Sequence, residues 1–192
     1  YQLTRNEVTN KVAKRRDNFR PDPQVKTGTA TLNDYKRSGF DRGHMVPAAD
    51  LAWSYESMSD SFFLSNMSPQ EPSFNRGIWR LLEEKVRDWA VERDLLYVLS
   101  GPIYKEDLGA IGQSHVDIPS HYFKIVFDYK EPDIGIVAFM MANEGSKGPL
   151  SKFIVSVNEI EKLTGIDFFY QREDEGEEVL ENMISSTSWS WG

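Results

Sequence analysis

No cysteine occurs among the 192 residues, which removes disulfides, thiolate metal sites and cysteine nucleophiles together. There is also no uninterrupted apolar run of about eighteen residues, the length a helix needs to cross a bilayer, so no membrane span is expected. Basic residues are the minority, with 22 Lys and Arg against 30 Asp and Glu and a net charge of −8. Histidine is scarce too: there are three, so any imidazole chemistry falls on few positions. No internal repeat and no linker-like stretch interrupts the chain, and a single domain over residues 1–192 is expected.

What remains is globular in composition, 40% hydrophobic and 12% aromatic, enough to bury a core without staples. The charge is unevenly spread. Residues 1–44 carry ten Lys and Arg against five Asp and Glu, a balance of +5, whereas the rest of the chain stands at −13. Five of those cations, Lys11, Lys14, Arg15, Arg16 and Arg20, fall in one run that ends at Pro21 and Pro23. On its own such a run is a solvated face.

Local patterns predict an α+β chain. Residues 1–8 read as the end of a strand, and residues 27–35 as loop or edge strand. Residues 55–62 are a short helix or turn. After Pro72, the spacing of Ile78, Leu81, Leu82, Val86, Trp89 and Ala90 predicts an amphipathic helix with one buried stripe. Residues 95–99 read as a strand stopped by Ser100-Gly101-Pro102. In residues 122–128, Phe123, Ile125 and Phe127 alternate with Lys124 and Asp128, as in a half-buried strand. A turn at Glu131-Pro132 leads to a covered strand over 134–141 that pairs back antiparallel. Ser156 and Glu159 have capping-box spacing before a helix that closes ahead of Gly165, and the six acids of residues 173–181 read as a solvated helix start.

The chemistry concentrates elsewhere, in Asp41-Arg42-Gly43-His44. Arg offers fixed donors and a permanent charge suited to phosphate oxygens, and His takes a proton near neutrality. Gly43 between them lets the backbone come close to a neighbour. Two segments downstream add carboxamides nine positions apart, Asn66 in Phe63-Leu64-Ser65-Asn66-Met67-Ser68-Pro69-Gln70 and Asn75 in Phe74-Asn75-Arg76-Gly77-Ile78-Trp79. Glu83 follows on the predicted helix. On a regular helix Asn75 and Glu83 lie roughly 12 Å apart along the axis with about 80° of rotation, too far to ligate one ion directly. Glu83 leans toward the helix N-terminus and can hold a water on an ion bound by Asn75.

Taken in order, these motifs resemble the DNA/RNA non-specific endonuclease family, the ββα-metal nucleases that include secreted bacterial nucleases and mitochondrial endonuclease G. The resemblance implies a ββα-metal nuclease fold, a mostly antiparallel central sheet flanked by helices, with the start of the N-terminal strand missing. It implies divalent-metal-dependent hydrolysis of DNA and RNA with little sequence preference. His44 would be the general base, with its other ring nitrogen donating to a backbone carbonyl. Arg42 would stabilise phosphate, and Asn75 would hold Mg²⁺, Mn²⁺ or another divalent ion. Glu83 would orient the ion's waters and Asn66 would fix the His44 or metal geometry. Gln70 and one of Arg16 or Arg20 would contact nucleic acid, the spacing leaving the choice of arginine open. It further implies a secreted or periplasmic protein, a homodimer as one oligomeric option, and a protein inhibitor as a partner class.

Each member has a plainer reading. Asn75 after Pro72 and Ser73 is a common helix cap, Asn66 an ordinary turn residue, Glu83 a surface carboxylate and Asp41 the end of a loop. His115 and His121 read as structural, and Trp53, Trp79 and Trp89 as core rather than base-stacking platforms. The alternative function is a catalytically silent nucleic-acid-binding or inhibitor-binding module on the same fold. The joint presence of His44 and Asn75 argues against it, because such a module has no chemical need of them.

Overall fold

A computed structural model describes residues 1–129, 134–169 and 189–191. Its main sheet is antiparallel throughout and has five strands in the order β1 (Gln2–Thr4), β4 (Leu95–Ile103), β7 (His121–Asp128), β8 (Gly135–Ala142) and β9 (Ile154–Val155). A separate two-stranded hairpin pairs β2 (Asp41–His44) with β3 (Met67–Gln70), and a small one pairs β5 (Ala110–Ile111) with β6 (Val116–Asp117). The helices are α1 (Arg5–Thr9), α2 (Leu32–Tyr35), α3 (Tyr55–Asp60), α4 (Pro72–Phe74), α5 (Arg80–Arg93) and α6 (Val157–Thr164). The mostly antiparallel α+β architecture expected from the sequence is present.

Helices cover both faces of the sheet. On one, Trp79, Leu82, Val86 and Trp89 pack on Tyr122, Val126, Phe139 and Met141. On the other, Val157 and Ile160 of α6 pack on Ile103, Phe123, Ile125 and Ile136. Each of these large side chains stabilises the fold by about 1.5–3 kcal/mol through burial. Strand β7 is therefore not half-buried as its alternation suggested. Lys124 is 0% and Asp128 4% exposed, and both are retained inside because they have partners. Arg93 pairs with Asp128 at 2.7 Å, while Lys124 donates to Ser100 Oγ and lies 4.8 Å from the centre of the Trp79 ring.

Other boundaries also differ from the sequence reading. Strand β4 runs straight through Gly101 and Pro102, because β1 pairs only with residues 95–97 and the far part of β4 has no ladder partner on that side to miss the proline N–H. A Cβ on Gly101 would lie 2.5 Å from the Phe123 ring. Residues 32–35 form a helical turn rather than strand, since Thr31 and Asp34 make a reciprocal cap. Residues 5–9 continue β1 as a helix capped by Thr4 and Glu7. Ser156 caps α6 and Gly165 closes it in the left-handed conformation, as expected. Trp53 is 39% exposed, not core, whereas Trp79 and Trp89 are buried. The turn at Glu131-Pro132 and the acidic run of residues 173–181 lie outside the described residues.

The segment carrying Asn75 departs furthest from a straight helix. Glu71 is the cap, its carboxylate accepting from Phe74 N–H at 2.9 Å, with Pro72 in the first turn. After one turn the backbone widens over Asn75–Trp79 into a π-type turn, with Gly77 at φ −105°, ψ −112°, before α5 begins. Such widened turns re-aim side chains and recur at functional sites. Regular helical spacing between Asn75 and Glu83 therefore does not apply.

Candidate active site

A cleft of about 600 Å³ opens between hairpin β2–β3, the widened turn and the first turns of α5. It is lined by Asp41, Arg42, His44, Asn75, Glu83 and Arg87 together with Arg15 and Phe19 from the basic run. Four of the residues singled out from sequence, Arg42, His44, Asn75 and Glu83, thus meet in one place.

The hairpin sets the first two. The register pairs Gly43 with Ser68 and Asp41 with Gln70, and the Gln70 side chain folds diagonally across Gly43, where a Cβ would fall 2.1 Å from it. Only glycine permits that approach. Gln70 is consequently 0% exposed and cannot reach a ligand, contrary to the role in nucleic-acid contact expected for it. Asn66 does not line the cleft either. Its carboxamide accepts from Val46 N–H at 3.0 Å and donates to the Val46 and Ser61 carbonyls at 3.0 and 2.9 Å, clamping the loop immediately after His44. It is a positioning residue.

His44 stands edge-on to Phe62, ring centres 5.0 Å apart at 89°. Burial first, and the Arg15 guanidinium second, push its pKa down to about 4, so the ring is neutral near pH 7. The carbonyl partner expected for the ring is not present: Nε2 is shielded from solvent with no hydrogen bond among the described residues. Packing against Phe62, not a hydrogen bond, holds its orientation. Arg42 stacks on Phe19 at 4.2 Å, and its Nε is likewise without a hydrogen bond.

Most other cations of the cleft are already engaged. Arg76 pairs with Asp41 at 2.6 Å, Arg15 with Asp17 at 2.7 Å, Arg80 with Glu84, and Arg87 with the buried Asp50 at 2.8 Å. Arg42 has no ion pair among the described residues. Of the arginines named for phosphate contact, Arg16 is exposed outside the cleft. Arg20 is tied to Asp60 at 3.0 Å, to the Ser59 carbonyl at 2.7 Å and to the Phe63 ring at 3.8 Å. Arg15 is the member of the run that faces the cleft.

Asp41 fixes Asn75. The Asn75 amide NH₂ donates to Asp41 Oδ2 at 2.9 Å, which commits the nitrogen and leaves the amide oxygen as the free acceptor. Burial alone would raise the Asp41 pKa, but the hydrogen bonds from Arg76 and Asn75 outweigh it and hold the carboxyl below its usual value. Burial pushes Glu83 up to about 7, opposed by Lys124 and reinforced by Asp50. Lys124 is driven down by its own burial and held up by Glu83 and Asp50. Sequence reasoning passed over Arg87, although its i+4 spacing from Glu83 places both on one helical face. It also misplaced Lys124, whose alternation pointed outward.

Strand hairpin, widened turn and helix define the ββα class of metal nuclease. The family described as DNA/RNA non-specific endonuclease matches residues 1–175, and the chain belongs to it. It is 34% identical over 168 residues to mitochondrial nuclease EXOG of Mus musculus, covering 79% of this chain and 46% of that protein. It is 34% identical over 169 residues to mitochondrial endonuclease G of Homo sapiens, covering 81% and 57%. Nuclease C1 of Cunninghamella echinulata var. echinulata is 36% identical over 165 residues, covering 79% and 66%. In fold the chain matches EndoG in its crystal structure with EndoGI, with a TM-score of 0.82 and 30% identity over 90% of this chain and 77% of that one. The chain spans about half the length of the mitochondrial relatives it matches. These relatives overturn the expectation of a secreted or periplasmic protein, since EXOG, endonuclease G and Nuclease 1 of Schizosaccharomyces pombe are mitochondrial nucleases. The motif residues build the cleft and carry no address, so they were no guide to compartment.

Proposed function

We propose that this chain is a divalent-metal-dependent endonuclease that hydrolyses phosphodiester bonds of DNA and RNA with little sequence preference. The observation that carries this reading is the meeting of a neutral imidazole, His44, a carboxamide oxygen, Asn75 Oδ1, and a guanidinium without an ion pair among the described residues, Arg42, in one cleft.

The donor set fits a hard divalent ion. Asp41 orients Asn75 so that an oxygen, not the NH₂, faces outward. The Glu83 carboxyl, which lines the same cleft, is raised to about 7 by burial against the pull of Lys124. No group of three or more His, Asp or Glu able to hold a metal occurs among the described residues. A site with one protein oxygen leaves the other positions to water and phosphate, as Mg²⁺ prefers. When bound, the ion supplies Lewis acidity to the phosphate and to the leaving oxygen.

The chain's own groups do the rest. His44 accepts a proton from the attacking water as its oxygen bonds to phosphorus. Arg42 neutralises the charge gathering on the phosphoryl oxygens, while Glu83 accepts hydrogen bonds from water near Asn75. The P–O3′ bond breaks and the departing oxygen takes a proton from water near Asn75, leaving a 5′-phosphate and a 3′-hydroxyl. Recognition through the sugar-phosphate backbone would account for the weak sequence preference. The structural neighbour was solved with a protein inhibitor, and the same class of partner is proposed for this chain. Homodimerisation would be read by sedimentation.

Incubating supercoiled plasmid and RNA with the protein, with and without Mg²⁺, tests the reading. Metal-dependent cleavage of both, lost in His44→Ala and Asn75→Ala variants that keep the wild-type circular dichroism, is expected. No cleavage by the metal-replete protein would leave the silent binding module, and full cleavage by His44→Ala would refute His44 as the base.

A further inference from the structure

We propose that Trp53 and Tyr55, with the basic run beside them, form a nucleobase-stacking track that takes the single-stranded flank of a nucleic acid entering the cleft. The proposal rests on the nuclease reading and extends it to a preference for unpaired strands.

Trp53 is 39% and Tyr55 72% exposed, two large aromatics within three residues at the start of α3. Neither ring packs on another aromatic among the described residues, and both reach solvent, Tyr55 for most of its surface. Val12, opposite them, is 54% exposed. The basic run is held against this corner by its backbone. Val12 and Ala13 both donate their N–H groups to the Ala52 carbonyl at 2.9 Å, one residue before Trp53. Further along, Asn18 Oδ1 accepts from Ser59 Oγ at 2.9 Å, and Arg20 is bonded to Ser59 and Asp60. The run therefore lies as a rail along α3, with the aromatics on its flank.

That rail supplies charge where the rest of the molecule has little. Lys11, Lys14 and Arg16 are exposed and without an ion pair among the described residues. Arg15, from the same run, lines the cleft with Ala48 and Ala49, which belong to the loop leading to Trp53. A strand leaving the cleft past Arg15 would thus meet cations for its phosphates and two solvent-reaching rings for its bases. Aromatic faces stack on any base, which suits an enzyme with little sequence preference. A duplex keeps its bases turned inward and could use only the cations. An apolar partner surface would gain nothing from the cations, and so an unpaired polynucleotide is the occupant that uses both.

Binding separates the possibilities. In a His44→Ala background, full-length protein is titrated with a labelled oligothymidylate and with a blunt duplex of equal length, followed by anisotropy and by tryptophan emission. Trp53→Ala and Tyr55→Ala are each expected to weaken single-strand binding about ten-fold, to leave duplex binding within about two-fold, and Tyr55→Phe to restore it. Emission quenching by the single strand should disappear with Trp53→Ala. Equal single-strand affinity for wild type and the double variant overturns the proposal and leaves the patch to a protein partner. So does an equal loss for strand and duplex. Failure of the nuclease reading shows separately, as wild-type protein that cuts no plasmid with Mg²⁺ whatever these titrations give.

Discussion

The neutral state of His44 has a thermodynamic counterpart that can be measured without substrate. In the unfolded chain the imidazole titrates at its ordinary 6.5, whereas burial in the folded cleft lowers it to about 4. Between those values the unfolded chain binds more protons than the folded one. Folding stability from this group is therefore complete above 6.5 and is lost as pH falls toward 4. Linkage over that window removes about 2 kcal/mol between about pH 8 and about pH 5. Carboxylates also titrate there, so the comparison is with His44→Gln, which cannot protonate. Urea midpoints of both proteins along a pH series should show the stability difference, wild type minus variant, falling by that amount on acidification. A difference that stays constant with pH would mean that the ring is not desolvated, and the argument for a base already neutral in the resting cleft would fall with it.

Two further outcomes follow from the packing. Gly43→Ala should lower stability by about 3 kcal/mol, because the new methyl meets the buried Gln70 side chain at 2.1 Å; urea unfolding checks this, and Gly43→Ala/Gln70→Ala should recover most of the loss. Lys124→Met removes the positive charge that holds the Glu83 pKa down, so the acid limb of kcat/KM should move to higher pH; an unmoved limb would show that Lys124 is inert toward Glu83.

The cleft was legible in the sequence through side chains whose chemistry is unusual and whose order is fixed. Arg42, His44, Asn75 and Glu83 needed only that order to be found. The residues that escaped are those whose position depends on tertiary contact. Gln70 was expected to contact nucleic acid, yet its side chain is buried across Gly43, a contact that only the folded hairpin creates. Lys124 looked outward because alternation cannot tell that α5 carries Glu83 above that face of β7. Trp53 looked like core because composition does not reveal that the neighbouring Ala52, at 4% exposed, fills the interior instead. Within the basic run, the choice among Arg15, Arg16 and Arg20 depends on irregular backbone that no periodicity describes. Elements with local signals, such as α6 between Ser156 and Gly165, were read almost to the residue.

The break at Gly77 within Asn75–Trp79 has a bearing on protein engineering. It separates the turn that carries Asn75 from α5, and a substitution that draws residues 75–79 into regular helix would rotate the carboxamide away from Asp41. Stabilisation screens that reward helical regularity would select such changes at the expense of the Asn75–Asp41 hydrogen bond.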